Sequence, residues 1–137
     1  MALFPVSFQK MQQLISIGIG GAVGAILRYL VSGGVHAFMG KDFPYGTLSV
    51  NVIGSFIVGI LFVIFTSNET IPEILKISVL VGMLGAFTTF STFSLDTFKL
   101  IENAAFYKAG LNITINVVAS LAATWFGIVF SRAVVQV

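Results

Sequence analysis

The chain has 137 residues, of which 57% are hydrophobic and 9% are charged, and its formal net charge is +2. Soluble domains carry about 25% charged residues, so this composition excludes an ordinary soluble protein. The chain contains no cysteine, which excludes disulfides and thiolate metal sites, and it has no cluster of Lys and Arg that would bind nucleic acid.

Four long uncharged stretches separate the charged residues. A transmembrane helix needs about 20 mostly apolar residues, so we predict four spans, at about 13–38, 46–66, 74–99 and 110–131. The loops between them are short and contain Gly, Pro, Asn and charged residues. The chain is therefore predicted to be a single all-α membrane domain over residues 1–137, which works inside a lipid bilayer.

The basic residues near the span ends give no clear orientation in the membrane. They divide equally between the two sides of the predicted bundle: Lys10, Lys76 and Arg132 on one side, and Lys41, Lys99 and Lys108 on the other. A chain with balanced charge can insert either way round, and two oppositely inserted copies would pair as an antiparallel homodimer. The alternative is that other signals fix one orientation.

The first span carries small residues at a spacing that lets helices approach closely. Gly20 and Gly24 form one such pair, and Gly21 and Ala25 form another. The same string is not a dinucleotide-binding loop, because Val23 takes the place of the third glycine and the string lies within an apolar span. These pairs predict either ordinary helix packing within the chain or a dimer seam.

The second span carries a neutral polar stripe at a spacing of four residues, which places its members on one helix face. The stripe consists of Thr47, Asn51, Ser55 and Gly59. Polar residues within a span are costly unless they face a partner or water, so they are candidates for function. Hydrogen bonds that hold helices together explain Ser55 adequately, but the amide of Asn51 needs several partners.

The third span is rich in residues that favour helices poorly. Residues 82–94 read GMLGAFTTFSTFS, and hydroxyl side chains compete for backbone hydrogen bonds. This composition predicts a break near the bilayer midplane, where freed carbonyl oxygens can coordinate a cation. The alternative is a continuous helix rich in hydroxyls.

The fourth span repeats the pattern of the second. Its stripe consists of Asn112, Asn116, Ser120 and Thr124. Thr124 is explained by interhelical hydrogen bonding, whereas Asn116 is a stronger candidate for function because an amide needs several partners. Two polar stripes and a hydroxyl-rich third span together predict a polar pathway through the bundle.

Two ionisable residues near span ends are given structural interpretations. Asp96, followed by Lys99 and Glu102, is interpreted as part of a charge cluster at a helix end rather than as a proton relay. His36 is interpreted as an interfacial residue, because no second metal ligand lies at a suitable spacing.

The predicted pathway would be lined by hydroxyls, amides and the ring edges of Phe90 and Phe93. Ring edges are the positive end of the aromatic quadrupole, so this lining suits a small anion. A large organic cation would need acidic groups or aromatic faces instead. For most of the 14 Phe residues, simple packing is the expected role.

Three segments resemble those of the CrcB/Fluc fluoride channels: 20–29, 46–59 and 82–94. The string TTFSTFS at 88–94 is highly specific, and the resemblance covers nearly the whole chain. It implies a channel in the bacterial inner membrane that exports fluoride passively, built as a dual-topology antiparallel homodimer with two pores. This agrees with the balanced basic residues.

The resemblance also implies roles for individual residues. Phe90 and Phe93 would be the pore phenylalanines, and Asn51 would orient them and contact the ion. The polar track would be formed by Asn116, Ser120, Ser91 and Thr92, and Arg28 would lie near a vestibule. Backbone carbonyls of Gly85 and Thr88 from both subunits would hold a structural sodium ion at the dimer interface.

The chain departs from the family pattern outside the central string. Asp96 stands where relatives commonly carry Glu, and Asn112 and Asn116 stand where some relatives have Tyr and Ser. These departures affect the expected exit path rather than the expected ion.

Two other functions fit the size and charge of the chain. A small dual-topology multidrug transporter is the main alternative, but it would need a carboxylate in its first span, and the charged residue there is Arg28. A non-transporting subunit of a larger membrane complex would use the polar stripes for assembly. An enzyme is not expected, because no nucleophile, base and orienting group stand out together in the spans.

Overall fold

The computed structural model describes residues 7–135, and all regular secondary structure in that range is helical. The helices are α1 (Phe8–Met39), α2 (Tyr45–Ser67), α3 (Glu73–Ile77), a π-helical segment (Ser78–Leu84), α4 (Gly85–Phe87), α5 (Phe90–Glu102) and α6 (Phe106–Val135). Four stretches are long and apolar enough to cross a membrane: Phe8–Met39, Tyr45–Ser67, Glu73–Glu102 and Phe106–Val135. The prediction of an all-α chain with four candidate transmembrane helices is confirmed.

The helices extend beyond the predicted spans at several ends, because charged residues bound a hydrocarbon span without ending a helix. Helix α1 begins at Phe8 rather than near residue 13, and the Ser7 hydroxyl accepts a hydrogen bond from Lys10 N at 3.3 Å. Its other end is closed by Gly40, whose φ of 85° suits a residue without Cβ. Pro44 then precedes α2, where its missing N–H costs nothing.

Helix α1 packs against the π-helical segment through glycines on both sides. A Cβ on Gly20 would meet the carbonyl of Ser78, and a Cβ on Gly24 would meet the carbonyl of Met83. A Cβ on Gly82 would lie 2.6 Å from Ile17 O. Gly20 and Gly24 are therefore used for close packing within the chain.

Helices α2 and α6 also cross with their backbones in close approach. A Cβ on Gly59 would meet the Thr124 carbonyl, and a Cβ on Gly127 would meet the Phe56 carbonyl. This crossing brings the polar stripes of the second and fourth spans to the same side of the bundle.

The bundle buries little of its apolar surface within one chain. Of the 18-residue apolar stretch that defines each candidate span, only between 11% and 22% is buried within the chain. Many large apolar side chains, including Phe38, Phe106 and Trp125, are exposed. Such a surface is stable against lipid or against another protein chain, but not against water.

Candidate functional site

A furrow of about 400 Å³ lies between α2, α6 and the junction of α4 with α5. It is lined by Asn51, Ser55, Val58, Thr88, Thr89, Phe90, Phe93, Asn116, Val117, Ser120, Leu121 and Thr124. Two members of the second-span stripe and three members of the fourth-span stripe therefore line one hollow, together with the two phenylalanines. Five of the residues predicted for the pathway are in this lining: Phe90, Phe93, Asn51, Asn116 and Ser120.

The two phenylalanines have different surroundings although they lie one turn apart on α5. Phe93 is 7% exposed and forms an inner wall of the furrow, whereas Phe90 is 77% exposed within one chain. Their ring centroids are 5.3 Å apart and the rings are inclined at 59°. The ring of Phe90 therefore extends outward from the surface of its own chain.

Two residues between α4 and α5, Thr88 and Thr89, have extended backbone angles. Thr88 N still donates to Leu84 O at 3.0 Å, but Thr89 N donates to Asn51 Oδ1 at 2.8 Å. The Gly85 carbonyl consequently lacks the amide partner that a continuous helix would provide.

Asn51 replaces the backbone partners that Thr89 lacks. Its Nδ2 donates to Thr89 O at 3.1 Å, while its Oδ1 accepts from Thr89 N. The same Nδ2 donates to Asn116 Oδ1 at 3.0 Å. Both amide hydrogens of Asn51 are thus bound to protein acceptors. Unpaired backbone groups at membrane depth are costly, so this residue stabilises the non-helical pair.

The hydrogen bonds continue from Asn116 along α6 and back to α5. Asn116 Nδ2 donates to Asn112 Oδ1 at 2.8 Å and to Asn112 O at 3.2 Å. Asn112 Nδ2 donates to Thr97 Oγ1 at 2.9 Å, and Thr97 Oγ1 donates to Phe93 O at 2.8 Å. We call Asn51, Asn116, Asn112 and Thr97 the amide ladder. Thr97 was missed by sequence reasoning, although it lies one turn after Phe93 on the same helix face.

Ser91 and Thr92 lie at the start of α5, beside the furrow rather than in its lining. Thr89 Oγ1 accepts from Thr92 N at 3.2 Å and donates to Thr92 Oγ1 at 3.0 Å. The Ser91 hydroxyl lies 3.4 Å from the same oxygen. Thr89 therefore caps the N-terminus of α5 and orders the hydroxyls of its first turn.

A second hollow of about 490 Å³ lies on the α1 side of Thr89. Its lining includes Arg28, Ser32, His36, Thr47, Thr89 and Thr92. Arg28 is therefore separate from the furrow. Because Thr89 lines both hollows, it stands between them.

His36 and Asp96 each make a specific interhelical hydrogen bond. His36 Nε2 accepts from Gly46 N at 3.1 Å, so the ring binds one of the open amides at the start of α2. Asp96 Oδ2 accepts from Thr47 Oγ1 at 2.6 Å, which joins α5 to α2. Within residues 7–135 no three His, Cys, Asp or Glu side chains are placed to hold a metal ion.

Replacing Asn51 with alanine is expected to destabilise the fold and to reduce ion flux. The change leaves Thr89 N, Thr89 O and Asn116 Oδ1 without their partner, and each buried unsatisfied group costs about 1–3 kcal/mol. Thermal unfolding in detergent, followed by size-exclusion chromatography, measures the loss. Ser49→Ala is the matched control, because Ser49 lies on α2 outside the furrow. Equal stability of the two variants would contradict the role given to Asn51.

Comparison with known proteins gives one consistent result. A family model described as "CrcB-like protein, Camphor Resistance (CrcB)" matches residues 15–128. A Magnetococcus marinus protein named "Fluoride-specific ion channel FluC" is 48% identical over 89% of this chain and 99% of its own length. Proteins with the same name from Geobacter metallireducens and Vibrio parahaemolyticus are 44% and 50% identical, over 89% and 81% of this chain and 98% and 87% of their own lengths. These names describe ion channels, a class distinct from enzymes.

Proposed function

Since the chain belongs to the CrcB family, we propose that it is a fluoride-selective passive ion channel, which exports fluoride from the cytoplasm down its electrochemical gradient. The observation that carries this proposal is the furrow between α2, α5 and α6. Its lining, as far as the chain is described, combines neutral hydroxyl and amide groups with two phenylalanine rings and contains no ionisable side chain. Such a lining offers partial positive charge to an anion without holding the ion permanently.

The start of α5 adds to this preference for anions. Thr89 N donates to Asn51 Oδ1 and Thr92 N donates to Thr89 Oγ1. The amides of Phe90 and Ser91 lie between them in the first turn, where a helix provides no internal acceptor. The positive end of the helix dipole therefore lies at the furrow. Two neutral effects, ring edges and amide groups, favour a small anion at the same place.

Passive export follows from the chemistry of fluoride and the membrane potential. Hydrogen fluoride crosses lipid as a neutral acid and releases fluoride in a more alkaline cytoplasm. An inside-negative potential then drives the anion outward with about 2.3 kcal/mol per charge per 100 mV. No proton-exchanging carboxylate is required, in agreement with the neutral lining of the furrow.

The proposed pathway uses the predicted residues as follows. Phe90 and Phe93 face the ion with their ring edges, and Asn51 fixes the backbone at the start of α5. Ser120 and Asn116 belong to the polar track. The hydroxyls of Ser91 and Thr92 extend this track from the first turn of α5, and Arg28 attracts anions into the second hollow.

The functional unit is proposed to be an antiparallel, dual-topology homodimer with two pores in a bacterial inner membrane. The balanced basic residues and the large exposed apolar surface support it, and so does Phe90, whose exposed ring can reach a partner chain. Light scattering should give twice the 14.6 kDa chain mass. Because the chain lacks cysteine, Lys41→Cys can be labelled from either face of the membrane. Labelling of half the molecules from each face is expected, and labelling from one face alone would contradict dual topology.

The third span is proposed to be broken near the bilayer midplane at Thr88 and Thr89, with a structural sodium ion at the dimer interface. The carbonyls of Gly85 and Thr88 fit such a site, because Gly85 O has lost its helical amide partner and carbonyl oxygens suit hard cations. Stability of the dimer after exchange of sodium for N-methylglucamine, measured by size-exclusion chromatography, tests this assignment. Reduced dimer stability without sodium is expected, and unchanged stability would contradict it.

Efflux from liposomes tests the proposed function. Purified protein is reconstituted with potassium fluoride inside, and valinomycin is added so that potassium can leave with the anion. A fluoride electrode should record rapid loss, while parallel chloride-loaded vesicles should retain their anion. Retention of fluoride by vesicles that contain folded protein would overturn the proposal. Uptake of a lipophilic cation such as ethidium would instead support the multidrug alternative.

A further inference from the structure

The hydrogen-bond donors around the furrow divide into two groups. Most of them already have protein acceptors: both amide hydrogens of Asn51 and of Asn116 are used within the amide ladder, and the Thr88 hydroxyl donates to Leu84 O at 3.0 Å. The Thr124 hydroxyl lies 3.2 Å from Ser55 O and 3.1 Å from Ser120 O. Within residues 7–135, the hydroxyls of Ser55 and Ser120 donate to no protein group.

Ser32 and Ser49 likewise donate to no protein group within residues 7–135, but only Ser55 and Ser120 combine a hydroxyl without an acceptor with a position in the furrow lining. Helical hydroxyls commonly donate to the carbonyl three or four residues earlier, as Thr66, Thr97 and Thr114 do in this chain. Ser55 and Ser120 are half-buried and line the furrow. A hydroxyl without an acceptor is costly in apolar surroundings. Both hydroxyls are therefore available to donate a hydrogen bond to an acceptor that enters the furrow.

The two serines are also at the same level of the furrow although they lie on different helices. The single hydroxyl of Thr124 is within hydrogen-bond distance of both of their carbonyl oxygens. One turn further along α2, Gly59 allows the backbones of α2 and α6 to approach closely. The remaining lining beside them is apolar, namely Val58, Val117 and Leu121.

We propose that Ser55 is a further ion-contacting residue, and that its hydroxyl forms with that of Ser120 a two-donor subsite for a small anion. This inference rests on the proposed function and deepens it, because it adds a hydroxyl of α2 to the polar track proposed along α6. The Ser55 side chain thus has a different role from that of Thr124, whose hydroxyl holds α2 and α6 together. Fluoride is a small, strong hydrogen-bond acceptor, and hydrogen bonds to charged groups are about twice as strong as neutral ones.

The test compares fluoride flux through Ser55→Ala, Ser120→Ala and the double variant in liposomes, over a range of fluoride concentrations. Ser55→Ala is expected to lower flux at low fluoride by about tenfold, as expected for the loss of one hydrogen bond to a charged group. It is also expected to raise the half-saturating fluoride concentration. Because both hydroxyls bind one ion, the losses in the double variant should not be additive.

Two variants separate ion contact from a merely structural effect. Ser49→Ala removes a serine hydroxyl from the same helix on a surface outside the furrow, and it should leave flux and half-saturation unchanged. Ser55→Thr keeps a hydroxyl and should recover most of the flux. Size-exclusion chromatography and thermal unfolding confirm that each variant is folded.

The possible results distinguish this inference from the function on which it rests. If the wild-type protein conducts fluoride and Ser55→Ala behaves as Ser49→Ala does, the subsite is overturned and the channel function stands. Equal losses in Ser55→Ala and Ser55→Thr would also overturn it, because the hydroxyl would then not be the cause. If the wild-type protein conducts no fluoride, the proposed function and the subsite fall together.

Discussion

Replacing Phe90 or Phe93 with isoleucine is expected to reduce fluoride flux by about a hundredfold or more, which corresponds to about 2.7 kcal/mol in the barrier. Isoleucine fills much of the same volume but has no ring edge, so the positive end of the quadrupole is lost where the anion passes. Phe90 gives the sharper test, because its ring is 77% exposed and contributes little to the packing of its own chain. Efflux from liposomes measures the change.

Phe98→Ile is the matched control for these variants. Phe98 lies on the same helix, is exposed, and lies outside the furrow. It should conduct at the wild-type rate, and all three variants should elute as the same folded species. Wild-type flux through both Phe90→Ile and Phe93→Ile would show that the rings do not line the pathway.

Adding a single methyl group at Gly24 is expected to lower the stability of the folded chain more than the other substitutions proposed for this protein. In Gly24→Ala, the new Cβ would meet the carbonyl of Met83, and backbone atoms cannot move aside as a flexible side chain can. Overpacking of this kind costs about 1–3 kcal/mol, and occasionally more. Helix α1 would have to separate from the π-helical segment. A large fall in the unfolding temperature in detergent is the expected observation.

Gly18→Ala provides the control on the same helix. Apart from the neighbouring backbone of α1, no atom of residues 7–135 lies within 4 Å of a Cβ added at Gly18. This variant should therefore be as stable as the wild type or slightly more stable, since alanine favours a helix by about 1 kcal/mol over glycine. Equal unfolding temperatures for Gly24→Ala and Gly18→Ala would contradict the close packing of α1 described above.

The sequence was sufficient to predict the four candidate spans and the residues that could be polar inside them. Charged residues bound each apolar stretch, and a spacing of four places Asn51 and Ser55 on one face, as it does Asn116 and Ser120. The place where the two stripes meet could not be predicted, because it depends on the crossing of α2 and α6. That crossing is set by contacts of Gly59 and Gly127 with carbonyls far away in the chain.

The hydrogen-bond partners could not be predicted for a similar reason. Periodicity identifies the helix face on which Asn112 lies. Its hydrogen bond to Thr97, however, depends on how α5 and α6 are positioned along their axes relative to each other, which periodicity does not give. Likewise, Asp96 has charged neighbours in sequence, yet the structure gives its carboxylate the Thr47 hydroxyl as a hydrogen-bond partner. Short sequence separation favoured the interpretation as a helix-end cluster, whereas tertiary packing supplied a partner on another helix.

The most direct test of the central claim is the reversal potential of the current through the purified protein in a planar bilayer. Fluoride is placed at different concentrations on the two sides, with equal pH and with chloride on one side only. If the protein is a passive fluoride channel, the current should be zero at the Nernst potential of fluoride. This reversal potential should stay the same when a pH difference is then imposed across the bilayer. A reversal potential that follows chloride, or one that shifts with the pH difference, would contradict selective and uncoupled conduction.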